Sequence, residues 1–252
     1  MKLYHKISEL RRSMPSETAQ SILMQVLDMT LTELYEIDLF NELQLMQIDK
    51  AVEAYHKSIP ISRVLNRKFF WRDLFHISPF TLDPRPETEL VVEYAVKANP
   101  KSILDIGTGT GCILLSILRE LPSSTGVGSD ISTQALDVAK YNAANLDIDA
   151  RFILSDFYTN IQGEFDLIVS NPPYIKRECS YEAMFDPPAA LWDDDSYNQL
   201  ITTKHLKPKG SIILEVPEYS LNLVRDLSAK AQLNYKICEK IGEIYICWLS
   251  TH

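Results

Sequence analysis

Two consecutive prolines, Pro172 and Pro173, follow the apolar run Phe165-Asp166-Leu167-Ile168-Val169-Ser170 with only Asn171 between. A run that rich in Ile, Val and Leu reads as a buried parallel strand, and the prolines must end it because they remove two N–H donors and fix φ. Asn171 is therefore expected at the carboxyl end of a central strand, the edge at which open α/β sheets bind ligands. Its side-chain amide and the prolyl carbonyls form a cluster of acceptors on stiff backbone, suited to an incoming NH2 group. Asn-Pro also starts ordinary turns, so the tetrapeptide Asn171-Pro172-Pro173-Tyr174 alone leaves both readings open.

The stretch upstream narrows the choice. Leu104-Asp105-Ile106-Gly107-Thr108-Gly109-Thr110-Gly111-Cys112-Ile113 reads as a strand, a glycine-rich turn and a helix start. Glycines there let the backbone pass close to a ligand, and helix-start N–H groups point at it. Val127-Gly128-Ser129-Asp130 ends a second strand about 20 residues later, where an acidic side chain typically grips ribose hydroxyls. Gly107, Gly109 and Gly111 alternate, unlike the Gly-x-Gly-x-x-Gly of dinucleotide sites. That spacing favours a ligand with an adenosine but no phosphates.

From Glu87 onward the pattern runs helix, strand (102–106), helix (112–121), strand (126–130), helix (133–145), strand (151–154), and then the strand that ends at Asn171. Such alternation predicts a parallel, doubly wound α/β sheet. Ser211 to Val216 adds a fifth strand, Leu221 to Ala231 a helix, and 235–238 with 243–248 a closing strand pair. Glycine is absent before Gly107, a shift that separates a helical N-terminal segment from the α/β part. Helices are expected from Ser16 through Leu27, after Thr30 with Glu33 as its capping box, and from Asn41 to Tyr55. Pro60 to Leu65 and the aromatic run Phe69-Phe70-Trp71 with Leu74-Phe75 suggest a strand pair. The resulting division is 1–58, 59–80 and 81–252.

The formal net charge is −9 over 252 residues, and residues 1–76 hold ten basic and ten acidic side chains, so all the excess acid lies beyond them. A protein gripping duplex DNA would be expected to carry a basic face, so stable nucleic-acid binding is not expected. No stretch of about 18 apolar residues occurs and the first residues lack an apolar signal core, from which a cytoplasmic location is expected. Cys112, Cys179, Cys238 and Cys247 are scattered, without a Cys-x-x-Cys pair or a His at ligand spacing, so neither a metal site nor a disulfide framework is expected. Cys112 reads as a small residue packed beneath the glycine loop rather than as a reactive thiol.

Taken together, these motifs resemble the class I S-adenosylmethionine-dependent methyltransferases that modify planar amino or amide nitrogens. More closely, the chain resembles the bacterial release-factor glutamine N5-methyltransferases, the HemK/PrmC family. The closer match rests on Asp83-Pro84-Arg85-Pro86-Glu87-Thr88-Glu89, the loop from Gly107 to Gly111, Ser129-Asp130-Ile131-Ser132, Ser155-Asp156-Phe157 and Ser170-Asn171-Pro172-Pro173-Tyr174-Ile175. The resemblance implies a Rossmann-like methyltransferase domain joined by a β-hairpin to a small helical substrate-docking domain. It implies S-adenosylmethionine as cofactor, S-adenosylhomocysteine as product, and the glutamine of the Gly-Gly-Gln loop of class I release factors as substrate, with the enzyme acting as a monomer.

Site roles follow residue by residue. Asn171, Pro172 and Tyr174 are the expected catalytic set, with Pro173 joining them around the substrate amide. Asn171 Oδ1 and the Pro172 carbonyl would accept from its two N–H groups. Tyr174 would wall the slot or simply pack behind the loop. Gly107, Thr108, Gly109, Thr110, Gly111, Asp130, Asp156, Phe157 and Asn171 are expected around the cofactor, with Asp130 on the ribose, Asp156 on the adenine amino group and Phe157 stacked on the ring. Asp105 would reach the methionine end or cap the glycine loop. Glu87 and Glu89 would sit near the cofactor's amino group or start a helix favourably against its dipole. The sequence departs from the family at Arg63, Asn66, Asp83, Asp193 to Asp195 and around Glu243, which bears on docking more than on chemistry. A ribosomal-protein glutamine, an adenine N6 atom and a non-catalytic binding role are the competing readings.

Overall fold

Helix-forming patterns fill the N-terminal part of the chain. The computed structural model, which describes residues 2–29, 31–173, 186–187 and 195–251, divides into two units, Met1–Asn66 and Arg67–His252. The first holds five helices among the described residues: α1 (Leu3–Leu10), α2 (Ser16–Leu27), α3 (Leu31–Tyr35), α4 (Glu42–His56) and α5 (Ile61–Leu65). Ala19, Ile22, Leu23 and Val26 of α2 recur at helical spacing and are buried. They join Ile7, Leu10, Leu34, Ile48 and Ala51 in one core. Asn41 starts α4 with a capping box: its side chain accepts from Gln44 N at 2.8 Å, while its own N–H donates to Gln44 Oε1 at 2.9 Å. Thr30 lies outside the described residues.

One element differs from the sequence reading. Residues 61–65, expected as a strand, form α5. Pro60 sets φ at −56° before the first turn, and Asn66 closes the last in the left-handed region at φ 51°, its N–H donating to Ser62 O. A short run of Ile, Val and Leu fits either period, so its termini decide.

The second unit begins with a hairpin of β1 (Arg67–Phe70) and β2 (Asp73–His76), antiparallel in register from Arg67 opposite His76 to Phe70 opposite Asp73. Its turn puts Trp71 at φ 58°, costly for a bulky side chain. Two carboxylates hold it there: Glu89 Oε1 accepts from Trp71 N, and Glu120 Oε1 from Trp71 Nε1, each at 2.8 Å.

After a 3-10 turn (Pro86–Thr88) come α6 (Glu89–Ala98), β3 (Ser102–Ile106), α7 (Cys112–Glu120), β4 (Thr125–Asp130), α8 (Thr133–Leu146), β5 (Arg151–Leu154) and β6 (Phe165–Ser170). The chain closes with α9 (Ser196–Ile201), β7 (Leu206–Pro217), α10 (Leu221–Lys230), β8 (Asn234–Ile241) and β9 (Ile244–Ser250). The sheet order is β5-β4-β3-β6-β7-β9-β8. β3 to β7 pair in parallel, and β9 and β8 add antiparallel edges. The order reverses between β3 and β6, which makes the carboxyl ends of those two strands the topological switch point.

Strand side chains alternate between two cores. Ile103 of β3 and Leu167 and Val169 of β6 pack toward α6 and α7, while Leu104, Ile106 and Ile168 face α9 and α10. Every residue of α7 from Cys112 to Leu118 is buried. Full burial of a Leu or Ile is worth about 1.5–3 kcal/mol, so α7 is firmly anchored beneath the glycine loop. Among the described residues no helix is long and apolar enough to cross a membrane.

Candidate active site

A cavity of about 360 Å³ opens at the switch point, walled by the carboxyl ends of β3, β4, β5 and β6 and by residues 80–82. It lies wholly within the second unit and is within the range of small-molecule sites. Its floor comes from the loop after β3, where Gly107, Gly109 and Gly111 all have positive φ (71°, 54° and 80°). A Cβ added to Gly107 would meet no atom within 4 Å because it would stand in the cavity, whereas at Gly111 it would press on Leu115 at 3.1 Å and Ala139 at 3.3 Å. The loop therefore alternates. Gly107 and Gly109 face the cavity, and Thr108 and Thr110 turn inward, 4% and 2% exposed.

The loop residues divide accordingly. Thr108, Thr110 and Gly111 do not line the cavity; they build the loop. Thr108 Oγ1 donates to Asp105 Oδ2 at 2.6 Å, and Thr110 Oγ1 accepts from Cys112 N at 3.3 Å. Asp105 is likewise off the cavity, fully buried beneath the loop. Desolvation, opposed in part by the Thr108 bond and reinforced by Asp130, lifts its carboxyl from the ordinary 3.8 to about 7. Burial pushes the Cys112 thiol up to about 12, leaving it no thiolate character near neutrality.

At the end of β4, Asp130 lines the cavity and stitches the floor to the wall: Oδ2 accepts from Gly109 N and Oδ1 from Ser132 N, each at 2.9 Å. Its pKa is raised, chiefly by desolvation. Beside it stands Ile131, 60% exposed and facing the cavity. At the end of β5 the turn is held by Ser155, whose hydroxyl donates to Phe157 O at 2.8 Å, with Phe157 at φ 44°. Asp156 and Phe157 both reach the cavity. Carboxylates at two strand ends, with apolar Ile131 and Phe157 between, suit a ribose, an exocyclic amino group and a flat ring. The space over Gly107 is the kind a Cβ would obstruct, so the residues present fit an adenosine-bearing cofactor.

The far wall is different in kind. Ser170 Oγ donates to Ile106 O at 2.7 Å, joining β6 to β3 at their ends. Asn171 lines the cavity and donates through Nδ2 to Thr88 Oγ1 at 3.0 Å; Thr88 in turn donates to Glu215 Oε2 at 2.6 Å. With its NH2 group turned to Thr88, Asn171 has its amide oxygen to offer. Pro172 and Pro173 continue the wall, and the Pro173 carbonyl accepts from Ser196 Oγ at 3.3 Å. Tyr174 lies outside the described residues, as do Asp193 and Asp194.

Glu87 and Glu89 do not line the cavity; Glu89 holds the Trp71 turn. Arg85 Nη2 and Asp83 N donate to the two oxygens of Asp186, at 2.7 and 3.3 Å, which secures the segment leading to Phe80 and Leu82 on the cavity rim. Those two, Ile131 and the Thr88–Glu215 pair carried no assigned role in the sequence reading. Glu215 had a signal, a carboxylate inside the apolar run Ile212 to Val216, since a fully buried acid is rare unless partnered. Among the described residues no group of three His, Cys, Asp or Glu side chains could hold a metal.

A doubly wound sheet with, at its switch point, a cavity whose lining fits an adenosine-bearing cofactor defines a class I methyltransferase fold. The Methyltransferase small domain family model matches residues 82–187. A methyltransferase from Pyrococcus furiosus superposes with a TM-score of 0.55 at 19% identity, covering 70% of this chain and 87% of that one, which bears on the fold alone. The release factor glutamine methyltransferase of Flavobacterium psychrophilum is 33% identical over 71% of this chain and 70% of its own length. That of Caulobacter vibrioides is 41% identical over 65% of this chain, and the chain spans 60% of its length. The chain belongs to the release factor glutamine methyltransferase family.

Proposed function

We propose that the protein transfers a methyl group from S-adenosylmethionine to the side-chain amide nitrogen of the glutamine in the Gly-Gly-Gln loop of class I peptide-chain release factors, releasing S-adenosylhomocysteine. The observation that carries this reading is the polarity of Asn171: its NH2 group is tied back to Thr88, so its oxygen is the group available to a ligand in the cavity. An incoming primary amide needs acceptors.

Gly107 and Gly109 would let the cofactor lie against the backbone, Asp130 would hold the ribose hydroxyls, and Asp156 with Phe157 the adenine. When bound, S-adenosylmethionine supplies an electrophilic sulfonium methyl. The residues of the chain must then make a poor nucleophile attack. An amide lone pair is delocalised into its carbonyl, and acceptance of both N–H groups by Asn171 Oδ1 and the Pro172 carbonyl orients the nitrogen and gathers density on the face toward the methyl. The nitrogen proton becomes acidic once the methyl is on, so no strong base is required, and positioning supplies most of the rate, roughly 7–11 kcal/mol for well-oriented groups. Tyr174 is assigned to the wall of the slot by its place in the tetrapeptide. The helical unit is assigned to release-factor docking, which its exposed Tyr35, Leu39, Leu43 and Met46 suit.

Incubation of the purified protein with labelled S-adenosylmethionine and unmodified release factor, beside a Gly-Gly-Ala variant of that factor, tests the reading. Label on the native factor alone supports it. Equal label on the variant, or label on ribosomal protein or nucleic acid instead, rejects the substrate.

A further inference from the structure

We infer that Thr88 and Glu215 form a two-residue relay that fixes which end of the Asn171 amide faces the substrate, making both of them positioning residues for methyl transfer. This rests on the reading that Asn171 holds the substrate amide.

A side-chain amide is nearly symmetric in shape: rotating it by half a turn exchanges oxygen for NH2 at almost no steric cost. The exchange would be fatal to the proposed chemistry, because the flipped amide presents donors to the donors of the incoming glutamine. Shape cannot prevent it, so hydrogen bonding must. Thr88 has one hydroxyl proton. Glu215, 1% exposed, accepts that proton on Oε2 at 2.6 Å in a short bond. The face of Thr88 turned to Asn171 is then only a lone pair. Only the NH2 group of Asn171 can satisfy it, which it does at 3.0 Å, and Oδ1 is left for the cavity.

The relay is anchored at each end. Glu215 sits mid-sheet on β7, where Val216 pairs with Tyr245 of β9 and the Glu215 carbonyl accepts from Tyr197 Oη at 3.1 Å. Thr88 is held by its own N–H on Arg85 O at 3.1 Å. The acceptor at one buried position thus sets the polarity of an amide two hydrogen bonds away. Replacing Glu215 by glutamine introduces a donor: its NH2 can donate to Thr88, freeing the hydroxyl proton to face Asn171 and reversing the amide.

The test compares Thr88→Val, Thr88→Ser, Glu215→Gln and Asn171→Ala by kcat and KM for unmodified release factor, S-adenosylmethionine affinity by titration, and Tm. Thr88→Val and Glu215→Gln should lower kcat roughly 10- to 100-fold with KM, cofactor affinity and Tm little changed, and Thr88→Ser should restore most of the loss. Wild-type kcat in Thr88→Val beside an inactive Asn171→Ala overturns the relay while leaving the role of Asn171 standing. Loss of cofactor affinity together with kcat, unrescued by serine, also overturns it in favour of a packing role. Full turnover by Asn171→Ala removes the reading beneath the relay as well.

Discussion

The two walls of the cavity are built by opposite means. On the side of β3, β4 and β5 the binding surface is largely backbone, with glycines in left-handed conformation and a carboxylate, Asp130, bonded to Gly109 only 21 positions away. On the side of β6 it is side chain upon side chain, and the partners are remote: Asn171 reaches Thr88 across 83 positions and Thr88 reaches Glu215 across 127. The first wall is a local motif that the loop would form in many chains. The second exists only once the whole sheet is assembled, and it is there that the group directed at the substrate is oriented. Affinity for cofactor and power over substrate should therefore separate by wall.

The sharpest way to break the contrast is Asn171→Ala. Turnover should fall by about 10²–10³, the scale of losing one preorganised hydrogen-bonding group, with cofactor affinity unchanged in a titration; a matching loss of affinity would mean the walls are not separate. On the other side, Gly107→Val forces a β-branched residue to φ 71° and puts its side chain into the cavity. Cofactor binding should weaken by roughly 100-fold as the side chain occupies the ligand's space, on the scale of overpacking at about 1–3 kcal/mol, and calorimetric titration would show whether it does. Asp130→Ala should weaken the cofactor by roughly 10-fold, the loss of one charge-assisted bond, while kcat at saturating cofactor stays near wild type. A kcat collapse there would remove the ribose assignment.

Asp105 offers a milder test, of stability. Its folded-state pKa of about 7 lies above the ordinary 3.8, so between those values the folded protein keeps a proton that the unfolded chain has released. Stability from this group is present below pH 4 and declines as pH rises toward 7. Asp130, also raised, acts with the same sign. Tm should fall between pH 5 and pH 8 in the wild type and fall less in Asp105→Asn, which keeps an acceptor for Thr108; parallel curves for the two proteins would contradict the assignment.

How much could be read in advance follows the same divide. From Ser102 onward the strands and helices of the α/β unit other than α9 are legible because hydrophobic period, glycine turns and the double proline agree over short windows. Gly107, Gly109, Asp130, Asp156, Phe157 and Asn171 can be gathered at one sheet edge from that alternation alone. Which faces of the glycine loop look outward cannot, because this depends on whether φ is left-handed at successive residues; hence the motif alone does not say that the side chains of Thr108 and Thr110 turn inward. Residues 61–65 read as strand because five apolar-rich residues fit both periods. Thr88 and Glu215 carry no local signature of each other at all.

The bond from the Ser170 hydroxyl to the Ile106 carbonyl also ties the two walls together. It clamps the last residue of one strand to the last residue of its neighbour, so neither wall can slip along the strand axis relative to the other. The width of the cavity between the two strand ends is thereby gauged by the sheet itself before any ligand arrives.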